Sequence, residues 1–114
     1  MIDYIRDNCP RGELLCQLAE EASELAQAAL KLRRAEDGTN PTPVTQEQAE
    51  SELLQEIADV LNILDVLDIG YTDLRFDYAK EKKLKRWVER LKEDKKKRER
   101  AVEKWENDLD DPPF

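Results

Sequence analysis

TQEQAESELLQEIADVLNILDVLD, residues 45–68, decides the fold. Thr45 followed three residues later by Gln48 is a capping-box pattern, which marks a helix start. Leu53, Leu54, Ile57, Val60, Leu61, Leu64 and Leu67 then recur at steps of three and four and read as the core face of a helix running to about Asp68, with Gly70 ending it. Two acids interrupt that face. At about 100° per residue, Glu56 falls between Ile63 and Leu67, and Asp59 falls between Ile63 and Val66. They are i and i+3, so their side chains meet over one turn.

Upstream, a second amphipathic stretch spans about residues 13–34, with Leu14, Leu18, Ala22, Leu25, Ala29 and Leu32 as its apolar stripe. Glu21 and Glu24 are neighbours one turn apart at the edge of that stripe, and Glu20 lies further round. A short helix over residues 1–9, stopped by Pro10, precedes it. Between the two long helices, AEDGTNPTPV (35–44) reads as a loop because Gly38, Asn40, Pro41 and Pro43 break any helix. Thr72 or Asp73 can cap a third long helix. Leu84, Val88 and Leu91 give it a seam that is lost in KEDKKKRER (92–100) and resumed at Val102, Trp105 and Leu109. Trp87 and Trp105 fit packing or oligomer contacts better than base stacking. The expected fold is all-α, a four-helix-bundle type of subunit with no strand.

Bulk properties limit the function classes. The chain has 114 residues, enough for one domain, with 39% hydrophobic and 40% charged residues. That leaves a thin core, so completion by a second copy is expected. The net charge of −8 argues against duplex nucleic acid, whose binding rests on phosphate neutralisation. There is no histidine, which removes the usual zinc sites and imidazole acid–base chemistry. Cys9 and Cys16 read as reduced thiols of a cytoplasmic protein. No apolar run approaches the ~20 residues that span a bilayer, and no signal-peptide pattern opens the chain.

Carboxylates on an apolar face must be paired, protonated or metal-bound. If the two long helices pack antiparallel, Glu21 and Glu24 face Glu56 and Asp59. With no histidine to pair them, such an all-oxygen set suits a hard cation, magnesium first and manganese second. Magnesium also takes ligands from substrate phosphates, which points to phosphate chemistry. Lys31 and Arg34 follow the first acidic pair, and Lys83, Arg86 and Arg90 share part of the third helix. Guanidinium forks match phosphate oxygens.

EEASEL (20–25) and EIADVLNIL (56–64) resemble the paired EExxE and ExxD motifs of the MazG-like all-α nucleoside triphosphate pyrophosphohydrolases. Gln17, Lys31 and Arg34 fit the same pattern, as does KEKKLKRWVERL (80–91), and the resemblance covers about residues 11–92. It implies a domain over residues 1–92, a charged extension over 93–114, and a homodimer or homotetramer. The implied reaction is hydrolysis of a nucleoside triphosphate to monophosphate and pyrophosphate. Glu21, Glu24, Glu56 and Asp59 would hold magnesium, and Glu20 would orient or deprotonate the attacking water. Asn62 would touch the sugar or a water at the metal, and Gln17, Lys31, Arg34, Lys83, Arg86 and Arg90 would bind substrate. The gap between Glu24 and Glu56 is longer than in many members, and nothing in that family matches the segment beyond Glu93. Two other readings fit the same residues: a helical partner-binding protein without enzymatic activity, or the same chemistry on phosphoribosyl-ATP, dUTP or dCTP.

Overall fold

The computed structural model describes residues 1–38, 44–70 and 72–110. The chain is all-α, with α1 (Ile2–Asn8), α2 (Arg11–Asp37), α3 (Gln46–Leu67) and α4 (Leu74–Asp110). Among the described residues there is no strand, and no helix is long and apolar enough to cross a membrane. Two compact units divide between Ile69 and Gly70.

In the first unit, α2 and α3 form an antiparallel pair. Leu14, near the start of α2, packs with Ile63, Val66 and Leu67 near the end of α3. At the other end, Lys31 Nζ donates to Glu52 Oε2 at 2.8 Å. The α3 start is fixed as its capping box requires: the Gln48 N–H donates to Thr45 Oγ1, and the Thr45 N–H donates to Gln48 Oε1. The α3 end is set by Asp68 rather than Gly70. Asp68 adopts the left-handed region at φ 53° and donates its N–H to the Leu64 and Asp65 carbonyls, a conformation that aspartate tolerates better than most residues. Arg6 of α1 caps the same end. Its Nε and Nη2 donate to the carbonyls of Val66 and Asp65 at 2.8 and 3.0 Å, satisfying last-turn oxygens that have no partner inside the helix. Cys9 and Leu18 pack against this cluster.

Several expectations for this core need correction. In α2, Ala22 and Ala29 are exposed, whereas Ala28 is buried. In α3, Leu54 (62% exposed), Ile57 and Leu61 face away from the core, and the buried positions are Ala49, Ile63, Val66 and Leu67. The cause is the width of the apolar stripe. Two paired helices bury only a narrow seam of each, so the rest of a broad stripe has nothing within this unit to cover it. Helix α2 also begins earlier than expected, at Arg11 with Pro10 as its N-cap. It ends later, at Asp37, where Gly38 takes φ 64° and donates its N–H to the Arg34 carbonyl. Within the expected 35–44 loop, residues 39–43 lie outside the described residues.

The second unit is α4 with its lead-in. Asp73 accepts the Arg75 backbone N–H at 2.9 Å and a guanidinium hydrogen bond at 2.7 Å, which holds its carboxyl down at about 2. Gly70, at φ 101°, leaves room for the Phe76 ring, which a Cβ there would meet at 3.3 Å. The helix runs unbroken through residues 92–100. Lys, Glu and Arg are good helix formers, so the loss of an apolar seam there does not interrupt the backbone.

Candidate metal centre

The α2–α3 pair is built in steps of seven. Leu14, Glu21 and Ala28 follow one another at that interval on α2, and Ala49, Glu56 and Ile63 do so on α3. Leu14 and Ile63 share the core cluster, while Ala28 is 7% exposed and Ala49 fully buried. Going seven residues forward from Leu14 and seven back from Ile63 leads to Glu21 and Glu56. The two glutamates therefore occupy a layer of the helix–helix seam, between an aliphatic layer and a layer of small residues. Glu24 joins them from the next turn of α2. Carboxylate oxygens of Glu21, Glu24 and Glu56 all lie within 4.8 Å of one another.

The electrostatics follow from that position. Glu21 and Glu56 are half-buried as residues, yet one oxygen of each (Oε2 in both) is shielded from solvent and has no hydrogen-bond partner. Burial pushes the Glu21 carboxyl above its usual range, and the negative charges of Glu24, Asp59 and Glu56 push it further. Burial does the same to Glu56, followed by the negative charges of Glu24, Asp59 and Glu52. A shielded carboxylate oxygen without a donor costs stability. Apart from a proton, the partner that would relieve both of these groups, with Glu24 beside them, is a cation. The set is all oxygen, which suits a hard divalent ion such as magnesium or manganese.

The remaining residues fall into three places. Asp59, exposed, lines a groove of about 210 Å³ beside the glutamates, together with Gln17, Glu21 and Asn62. A larger groove of about 600 Å³ opens on the other side of Glu24 and Glu56 and is lined by Gln27, Lys31, Arg34 and Glu52. Glu20 is not brought into the cluster; it lies with Gly12, Glu13 and Cys16 on an adjoining stretch of α2 surface that shares Gln17 with the smaller groove. Lys83, Arg86 and Arg90 are exposed residues of α4, in the second unit. Glu52 was missed by sequence reasoning. It sits one turn before Glu56 and takes the Lys31 ammonium, a position readable from i−4 spacing to the acid already singled out. Comparison with known proteins adds nothing to this geometry: no protein-family model, no curated protein and no solved structure matches the chain.

Proposed function

We propose that this protein is a magnesium-dependent nucleotide pyrophosphohydrolase that cleaves a nucleoside triphosphate to its monophosphate and pyrophosphate. The observation that carries the reading is the pair of shielded, unpartnered carboxylate oxygens of Glu21 and Glu56 within one three-glutamate cluster. The likeness of EEASEL and EIADVLNIL to the paired motifs of MazG-like enzymes supplies the reaction type.

In this reading Glu21, Glu24 and Glu56 hold the ion, with Asp59 beside them. When bound, magnesium neutralises charge on phosphate oxygens and acidifies a water. The chain's own residues do the rest. Lys31 and Arg34 line the groove that leads away from Glu24 and Glu56, within reach of a phosphate chain laid along it. Lys31 exchanges its Glu52 partner for a phosphate oxygen, a small change because that ion pair is partly exposed. Gln17 and Asn62, in the adjoining groove with Asp59, offer amide groups to the sugar or to water. Glu20 lies outside the cluster, in a neighbouring groove, and Asp59 is better placed to orient water near the three glutamates. The protein works as a homo-oligomer in the cytoplasm and has no need of duplex nucleic acid.

The test is incubation with the ribo- and deoxynucleoside triphosphates, phosphoribosyl-ATP, dUTP and dCTP among them, with magnesium, measuring pyrophosphate release. The expected result is turnover of at least one substrate, abolished by Glu56→Gln with helix content retained. A folded wild-type chain that hydrolyses none of them with either magnesium or manganese overturns the reading.

A further inference from the structure

Helix α4 carries a pattern that the metal centre does not use. From Leu84 the residues Leu84, Val88, Leu91, Lys95, Arg98, Val102, Trp105 and Leu109 follow at alternating steps of four and three. That is a seven-residue repeat, the spacing of a two-stranded coiled-coil seam, sustained for about 39 Å of helix at 1.5 Å per residue. Its six apolar members are 49 to 64% exposed. The second unit is a single long helix and cannot bury them by itself.

We propose that this face pairs with α4 of a second copy of the chain, antiparallel and centred between Lys96 and Lys97. Charge decides both the occupant and the direction. The positions just after Leu84, Leu91, Arg98 and Trp105 are Lys85, Lys92, Glu99 and Glu106. They are basic in the first half of the seam and acidic in the second. In an antiparallel pair these flanking positions face their own equivalents. Lys85 then meets the partner's Glu106 and Lys92 meets the partner's Glu99, each twice by symmetry. In the core, Leu84 meets the partner's Leu109, Val88 the partner's Trp105 and Leu91 the partner's Val102.

Other registers make fewer attractive pairs at these flanking positions. Sliding the helices by one heptad sets Lys92 against Lys92, or Glu99 against Glu99. A parallel pair brings Asp94 alongside Glu99 and Lys80 alongside Lys85. In the proposed register Lys95 meets the partner's Arg98 in both central layers, an unfavourable contact that a parallel pair shares in kind, with Asp94 and Glu99 beside it to offset the charge. A polar layer of this kind lowers affinity and fixes alignment. Lys85 holds Glu81 in an exposed ion pair at 3.1 Å, which it can exchange for the partner's Glu106.

The test uses the full chain and two variants. Lys85→Glu with Lys92→Glu makes every flanking position acidic; Glu99→Lys with Glu106→Lys makes every one basic. Sedimentation equilibrium of each chain and of their equimolar mixture reads the association, with circular dichroism as the check on helix content. The wild type is expected to be dimeric. Each variant alone should dimerise about tenfold or more weakly, since four attractive pairs become repulsive. The mixture should recover wild-type affinity as a heterodimer, which a misfolded variant could not do. A monomeric wild type overturns the proposal, as does a dimer indifferent to both swaps or a mixture that stays weak. Metal binding and hydrolysis play no part in the measurement, so its failure leaves the metal reading untouched.

Discussion

Replacing Leu14 by alanine tests whether the α2–α3 seam holds the carboxylates in place. Leu14 is 4% exposed and packs with Ile63, Val66 and Leu67, the remaining members of the buried cluster. Truncating a leucine in such a site costs about 2–5 kcal/mol, combining lost burial with the cavity left behind. The unit Met1–Ile69 has, at typical stability per residue, roughly 3–10 kcal/mol in total. A loss of about 3 kcal/mol is therefore a third or more of it, and lowers the melting temperature by roughly 12–24 °C. The assay is thermal and urea unfolding followed by circular dichroism, because both tryptophans, Trp87 and Trp105, lie on α4 and report the other unit. Leu14→Met is the control and should cost less than about 1.5 kcal/mol. Since Glu21 follows Leu14 by two turns on the same face, Leu14→Ala should also weaken magnesium binding. A loss under about 1 kcal/mol would refute the seam as the element that sets the glutamate layer.

Four further outcomes are expected. Thr45→Ala removes the α3 cap and should cost about 1 kcal/mol in urea unfolding. Glu56 has its carboxyl raised mainly by burial, so its contribution to stability is present at acid pH, below the ordinary glutamate value of 4.5, and is lost as pH rises through the raised value. At neutral pH without metal, Glu56→Gln should accordingly melt higher than wild type, and it should show no gain on adding magnesium. Asp73 has the opposite sign: held down to about 2, it contributes above 3.8 and the contribution is lost as pH falls through 2, so Asp73→Asn should flatten the acid limb of the stability profile between those values. Lys31→Met should raise KM for the triphosphate more than it lowers kcat, as read in initial rates, if the groove beyond Glu24 carries the phosphates.

Much of this architecture was legible because local signals agreed. Thr45 and Gln48 announced α3, and the hydrogen bonds of the capping box are those the pattern requires. The glutamates on apolar faces were legible for the same reason, since Glu21, Glu24 and Glu56 do converge. The core itself was misread in part. Large aliphatic residues at steps of three and four drew attention to Leu54, Ile57 and Leu61, which face away. The close approach of two helices favours small side chains, and Ala28 and Ala49 mark it. Their spacing of seven from Glu21 and Glu56 was the available clue. Helix ends set by tertiary or conformational detail were less visible, such as Asp68 in the left-handed region, with Arg6 of α1 on the neighbouring carbonyls. The position of Glu20 outside the cluster follows from helix rotation, which its adjacency to Glu21 in the sequence conceals.

Calorimetric titration of the full chain with manganese and with magnesium at neutral pH bears most directly on the three-glutamate cluster. Saturable uptake is expected for the wild type, with loss of that uptake in Glu21→Gln/Glu56→Gln while circular dichroism shows the helices intact. A folded wild-type chain that takes up neither ion, even with a nucleoside triphosphate present, would contradict it.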